Sequence, residues 1–301
     1  MNSFVATVTS ATRRYAEICD ADFSFKLAKV ASRSLDICPG DLVTCESQQT
    51  ETMVTEATPR QNIISRSYRN KTKDIVSNVG HLFIVTAVGD LFNTVFVDRA
   101  FAVAHSQNIP TTIIVNKSDL QEESAHTKPT VDLYAKIGTD VIWTSAKAKL
   151  GIDELSQKIT NLDVKNISML GISGAGKSSL INSLLPNAAI RTQEVSARTG
   201  QGRQTTTQAF AYPFPESSPK ILLFDTPGLQ SFGINHLSES QIQAGFLEFQ
   251  NLEKRCRFQD CRHLSEPECV IIEKVKQGLI ANSRYKNYCA MIAEIDSDQP
   301  Y

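Results

Sequence analysis

GISGAGKSS at Gly171–Ser179 is preceded, earlier in the chain, by NKSD at Asn116–Asp119, and each closes an apolar run. The first stretch fits G-x-x-x-x-G-K-S, in which glycines let backbone N–H groups turn inward around phosphates and the next helix presents its positive end. Gly171, Ile172, Ser173, Gly174, Ala175 and Gly176 form that wrap, and Lys177, Ser178 and Ser179 open the helix. Lys177 is expected to neutralise the β- and γ-phosphates and the Ser178 hydroxyl to ligate Mg²⁺. In the second stretch Asn116 pins the loop, the Lys117 stem covers the base and Ser118 spaces the turn. The Asp119 carboxylate accepts from the guanine N1–H and exocyclic amine. Adenine would strand that charge, so GTP and GDP are the expected nucleotides.

Working outward, SAK (Ser145, Ala146, Lys147) follows NKSD and belongs to the loop whose backbone N–H reads the guanine O6. After the phosphate loop come TTT (Thr205–Thr207) and DTPG (Asp225–Gly228). Asp225 supplies a carboxylate near the metal through water, and the Gly228 N–H meets the γ-phosphate. Thr206 is the favoured hydroxyl to close on Mg²⁺, its neighbours remaining open. Leu229 stands where many GTPases carry the glutamine that orients water, leaving Gln204 and Gln230 as candidates. All parts of one guanine-nucleotide site are present, with the base reader ahead of the phosphate loop: a circularly permuted order.

Each motif lies at the C-terminal end of a continuously apolar run: HLFIVTAV (81–88), TTIIVNK (111–117), DVIWTSA (140–146), ISMLGIS (167–173) and ILLFDTPG (221–228). Such runs read as parallel strands covered on both faces, with ligands at their carboxyl ends. Residues 1–70 differ, alternating with period two around a Pro39-Gly40-Asp41 turn, which suggests a small antiparallel barrel of OB type. Oligonucleotide binding and simple packing on the neighbouring domain both remain open for it. A polar, basic joint runs from Arg66 to Lys73.

Beyond about Leu237 the chain reads as helical, with Tyr285, Tyr288, Cys289, Ile292 and Ile295 at helical spacing, a face expected to pack within its own domain. Cys256-x4-Cys261-x-His263-x5-Cys269 offers three thiolates and one imidazole, the donor set of a closed structural zinc site. The nearby Lys254, Arg255, Arg257 and Arg262 meet phosphates or form a solvated rim. At 301 residues, with 41% hydrophobic and 21% charged residues and a net charge of -1, the chain is an ordinary globular one without a basic coat. Seven cysteines, an odd count, fit a reducing compartment better than a disulfide framework, so the cytoplasm is expected. No apolar run approaches the roughly 20 residues a membrane span needs.

The permuted motif order plus the Cys/His knot resembles the bacterial ribosome small-subunit-dependent GTPase A (RsgA, YjeQ) family over nearly the whole chain. The resemblance implies a multidomain α/β protein: an OB-type β-barrel over 1–70, a circularly permuted P-loop GTPase domain over 71–236 and a helical zinc-binding domain over 237–301. It implies GTP hydrolysis stimulated by the small (30S) ribosomal subunit late in that subunit's maturation, 16S rRNA as partner, and no membrane. It assigns Asn116–Asp119 and Gly171–Ser179 to GTP and Cys256, Cys261, His263 and Cys269 to one zinc, in a chain expected to be a monomer. The family commonly has a histidine just before the Thr run, where this chain has Gln204.

Overall fold

The structure, a computed structural model, describes residues 2–47, 51–68, 71–185, 209–215, 217, 220–228, 232–250, 252 and 255–297. Strands β1 (Asn2–Ala11), β2 (Tyr15–Cys19), β3 (Phe25–Val30), β4 (Leu42–Ser47) and β5 (Thr52–Ala57) close a barrel in the order β1-β2-β3-β5-β4. The alternating residues Val8, Ile18, Ala28, Val43, Cys45 and Val54 point inward and fill it. Only β3 and β5 pair in parallel, which is how a five-stranded Greek-key barrel of the OB type closes.

The run MVTEATPRQNIISR does not enter the barrel whole. Pro59, which cannot donate to a ladder, lies in the break between β5 and β6 (Ile63–Tyr68). β6 pairs with β7 (Lys71–Ser77) as a separate ribbon, so the expected boundary at 70 falls between two paired strands. The Pro39-Gly40-Asp41 turn docks the barrel on β7. Gly40 has φ +94°, and a Cβ there would lie 2.0 Å from the Ser77 carbonyl oxygen, so only glycine fits. Ser77 N–H donates to Pro39 O (2.8 Å), and Ser77 Oγ donates to the buried Asp41 carboxylate (2.5 Å). Arg60 bridges Asp41 (2.9 Å) and Asp74 (3.1 Å).

The second domain is built on a six-stranded sheet. Its strands are β8 (His81–Ala87), β9 (Thr111–Asn116), β10 (Asp140–Trp143), β11 (Asn166–Gly171), β12 (Phe210–Phe214) and β13 (Ile221–Asp225), in the order β10-β9-β8-β11-β13-β12. Five of them are the expected apolar runs, paired in parallel. β12 is an unexpected antiparallel edge strand; Pro213 inside FAYPF hides it and is tolerated at an edge. Alternate residues cover the two faces. Phe83, Val85, Ile114, Met169 and Leu223 face α3 (Ile152–Thr160) and α4 (Lys177–Leu184). Leu82, Ile84, Ile113, Leu170 and Phe224 share a core with α1 (Thr94–His105) and with Val131 and Tyr134 of α2 (Gln121–Lys136).

That second face also holds the C-terminal segment: α5 (Glu239–Ala244), α6 (Leu247–Gln250), α7 (Val270–Lys276) and α8 (Asn282–Ser297). Here the expectation fails. Tyr288, Met291 and Ile292 do not pack only within a separate zinc domain; they join the core of α1 and the sheet. The region of three cysteines and one histidine keeps just a small core of its own around Ile271 and Ile280. The physical reason is area: α1 presents Phe96, Val97, Phe101 and Ala104 on a face that a helix-covered sheet must bury, and the short C-terminal module cannot bury α8 alone. Among the described residues no helix is long and apolar enough to cross a membrane.

Candidate functional site

Parallel order sends β9, β10, β11 and β13 out of the same sheet edge, so the loops after them meet although 110 residues of chain separate Asn116 from Thr226. Asn116 ends β9 and is 2% exposed; its Nδ2 donates to the Ala175 carbonyl of the phosphate loop (2.9 Å). Its Oδ1 accepts from Ala146 N–H (3.2 Å) and the Thr144 hydroxyl (3.3 Å). One amide thus ties NKSD to both the phosphate loop and the SAK loop. Gly176 makes this possible: at φ +86°, a Cβ on it would sit 2.4 Å from Asn116 Nδ2.

Asp119 is held from the SAK side. Ser145 Oγ donates to Asp119 Oδ1 (2.6 Å) and accepts from Ala148 N–H (3.0 Å), while Ser145 itself is fully buried. That hydroxyl, helped by Lys147 and Lys117, holds the Asp119 carboxyl below the usual carboxylate range, so it is ionised and acceptor-only. Ser118 N–H donates to Thr144 O (3.0 Å), and Lys117 takes a left-handed φ of +63°, pinned by Leu120 N–H on its carbonyl (3.0 Å). These bonds hold the bend, the arrangement expected where backbone strain serves recognition.

On the phosphate side Lys177 and Ser178 start α4, and burial pulls the Lys177 ammonium down to about 7. Lys177 Nζ contacts Asp225 Oδ1 at the end of β13, and both side chains are buried. A carboxylate thus stands beside the lysine at the strand end and Ser178 follows it in the helix, residue types that fit Mg²⁺ beside phosphate oxygens. Thr226 Oγ1 donates to Met169 O (2.7 Å), locking the DTPG loop to β11. Gly228 is exposed and lies close to Ser173 of the phosphate loop. Gln204, Thr205–Thr207, Leu229 and Gln230 lie outside the described residues.

Sequence reasoning missed two polar anchors, Thr144 and Thr226, and the side-chain role of Ser145. The available signal was a small hydroxyl residue just after or inside each apolar run, where a strand end needs its last backbone groups satisfied.

The Cys/His knot assembles as expected. Cys256, Cys261, His263 and Cys269 place one ligand atom each within 4.8 Å of one another. Cys256 Sγ lies 3.9 Å from Cys269 Sγ, and His263 Nδ1 lies 3.6 and 3.4 Å from those two sulfurs. A tetrahedron with Zn–S of about 2.3 Å and Zn–N of about 2.0 Å has edges of about 3.8 and 3.5 Å, so the cluster fits zinc through Nδ1. Val270 N–H points at Cys256 Sγ (3.4 Å), as a thiolate requires. Glu266 folds the loop between the last two ligands by accepting from the N–H groups of Arg262, Leu264 and Ser265. Burial opposes its charge, but those donors prevail and hold it down at about 2.

Comparison with known proteins agrees with this geometry. The RsgA GTPase family model matches residues 57–235. The small ribosomal subunit biogenesis GTPase RsgA of Paraburkholderia phymatum is 34% identical over 260 residues, 86% of this chain and 81% of the relative. Its namesake in Haemophilus influenzae is 37% identical over 241 residues, 79% and 68% of the two chains. The crystal structure of YjeQ from Thermotoga maritima superposes with a TM-score of 0.77 at 27% identity, covering 99% of this chain and all 100% of that one. YloQ, a circularly permuted GTPase, is alike in fold, with a TM-score of 0.72 at 23% identity over 100% and 97% of the chains. With more than half of its length matched by that model, this chain belongs to the RsgA GTPase family.

Proposed function

We propose that this protein is a GTPase of small ribosomal subunit biogenesis, hydrolysing GTP to GDP and phosphate and stimulated by the subunit itself. The observation that carries the reading is the Asn116 amide, which binds the base-reading loop to the phosphate loop at 2.9 Å and so makes two distant motifs one site. Asp119 reads the guanine edge, aligned by Ser145, and Ala146 and Lys147 complete the loop over O6. Backbone N–H groups of residues 171–176, with Ser178 and Ser179 behind them, cradle the phosphates. Lys177 exchanges its carboxylate partner for phosphate oxygens. Ser178 and Asp225, joined by Thr206, would hold Mg²⁺, which when bound neutralises phosphate charge. The Gly228 N–H faces the γ-phosphate, and Gln204 or Gln230 is left to orient water.

Zinc at Cys256, Cys261, His263 and Cys269 is structural, its coordination closed. The modules act as barrel, GTPase body and C-terminal unit, with the limits 70 and 236 as working boundaries. For 16S rRNA, the support is a cleft at the barrel mouth lined by Arg13, Arg14 and Arg33, beside the exposed ring of Tyr15. A cytoplasmic monomer is the state this reading requires. The test is phosphate release with and without purified small subunits in low-salt Mg²⁺ buffer. A rate raised well above the protein's own, and abolished by Lys177→Ala, is expected; no stimulation overturns the reading.

A further inference from the structure

Arg284 of α8 is 2% exposed, and its partners come from three other parts of the fold. Its Nε and Nη2 donate to the two Glu248 oxygens (2.9 and 2.8 Å), Nη2 also to Gly245 O (3.2 Å), and Nη1 to Asp98 of α1. The rings of Phe101, Tyr134 and Phe246 surround the guanidinium at 5.7, 5.3 and 4.5 Å. Asp98 is wholly buried and accepts two more bonds, from Asn287 Nδ2 (2.6 Å) and from the Tyr134 hydroxyl (2.8 Å). Tyr134 belongs to α2, the helix that starts directly after NKSD.

The same stretch of α8 also holds the zinc knot. Tyr285 OH donates to His263 O (2.8 Å) and Tyr288 OH to Arg262 O (2.7 Å). Four residues within one helical turn and a half therefore face two ways: tyrosines to the zinc loop, Arg284 and Asn287 to α1 and α2. The N-terminal sides of both helices lead back to the nucleotide loops. Ser124 Oγ in the first turn of α2 donates to Ser118 O (3.3 Å), Thr127 Oγ1 accepts from Gly89 N–H (2.9 Å), and Val88 N–H, just past the end of β8 and six residues ahead of α1, donates to Asn116 O (3.1 Å).

We infer that Arg284, through Asp98 and Tyr134, is a positioning residue for the guanine reader, so that the state of the zinc knot is felt at Asp119. The inference rests on the GTPase reading. The path is a chain of packed, hydrogen-bonded groups without a free hinge: knot carbonyls, α8, the Asp98 carboxylate, α2, and the Ser118–Asp119 bend. Pro129 removes one backbone bond from the middle of α2, so the helix depends on side-chain ties at both its ends to stay in register with the sheet. Coupling in a protein is reciprocal, so a partner gripping the knot alters nucleotide selection as much as nucleotide alters the grip.

The test is selectivity, measured on the full-length, zinc-loaded chain as affinity for GDP, IDP and ADP. IDP lacks the exocyclic amine that Asp119 reads, so the GDP-to-IDP ratio reports the aim of that carboxylate. Tyr134→Phe deletes one hydroxyl and keeps the ring. It should lower the ratio about fivefold, within the range that residues linking two sites carry, with zinc content unchanged. Tyr285→Phe, at the knot end, should lower it in the same direction by a smaller factor. A ratio unchanged in both variants, whatever their melting temperatures, overturns the inference. Failure of the wild-type chain to prefer GDP over ADP would instead overturn the GTPase reading beneath it.

Discussion

The barrel and the C-terminal segment are both attached to the GTPase sheet, and the two joints balance polar and apolar contact differently. The barrel keeps a core of its own and docks on β7 through a turn, with Gly40 backbone against Ser77 and Arg60 spanning Asp36, Asp41 and Asp74; among the described residues it adds only Cys19, Phe23 and Phe25 to the edge of the sheet's core. The C-terminal helices have little independent core. They bury Tyr288, Met291 and Ile292 in the body of the sheet and seal the contact with a guanidinium shut away from water. A polar joint is stabilised by charge and tuned by salt; a joint continuous with the core unfolds with it. The lesson is that a segment distinct in sequence need not be a separate unit in energy. The C-terminal helices are tied to the sheet by packing as well as along the chain after DTPG, where Gly233 pairs with Ser67 of β6 and Phe232 O accepts from Arg99 of α1.

The largest effect should come from the metal. Cys261→Ser is expected to lower zinc from one per chain to near none and to loosen the loop from Cys256 to Cys269, because structural zinc supplies folding energy directly. The core shared by α8 and α1 should survive, so GDP binding persists, with its preference over IDP lowered. Metal analysis with a nucleotide titration checks both, and a chain that loses GDP binding along with zinc would erase the distinction between knot and weld.

Next is Arg284→Met. It leaves Asp98 and Glu248 facing each other without their cation, and breaking such a buried pair costs about 3–5 kcal/mol. Denaturant unfolding should show the sheet and the C-terminal helices losing stability together, the barrel keeping its own transition. A loss below about 1 kcal/mol would place this joint in the same class as the barrel's.

Acid should act on both faces of the sheet, the welded one through His105 and the opposite one through His81. Burial pulls His105, which stacks on Phe101 with Arg284 nearby, and His81, bonded to Thr112, each down to about 4. The unfolded chain then takes up protons first, from pH 6.5 downward. Stability is full above that value, falls as pH drops toward 4, and is level below it. Between pH 6.5 and 5.5 the loss should be about 1 kcal/mol per imidazole. His105→Gln should remove part of that slope in denaturant titrations at a series of pH values.

The legible parts were those where one requirement dominates locally. A phosphate loop needs glycines at fixed places, a doubly covered strand needs an unbroken apolar run, and zinc needs four donors, so β8, β9, β10, β11, β13 and the knot could be read directly. The order of motifs also gave the permutation. What stayed hidden depends on partners far along the chain. β12 reads poorly because Pro213 interrupts a five-residue run whose three aromatics would otherwise favour a strand, and pairing with β13 is what makes it one. A boundary at 70 splits the β6–β7 ribbon, because alternation alone does not say which strand pairs with which. Arg284 carries no local sign of its role, since nothing near it in sequence announces Asp98, 186 residues away.

The smallest expected effect is at the barrel joint, and it is the one that tests the contrast from the other side. Arg60→Ala removes a guanidinium shared among three carboxylates. The Asp36 partner is 83% exposed and contributes little; Asp74 is about one-third exposed. Asp41 is buried but keeps the Ser77 hydroxyl at 2.5 Å and the Cys38 N–H at 2.7 Å, so its charge is not stranded. The cost should therefore be about 1 kcal/mol, shrinking further in 0.5 M salt as the exposed pairs are screened. Arg284→Met, sealed from ions, should be insensitive to the same salt. Equal losses with equal salt response in the two variants would mean that both joints are electrostatic, and the division between a docked barrel and a welded C-terminal segment would fall.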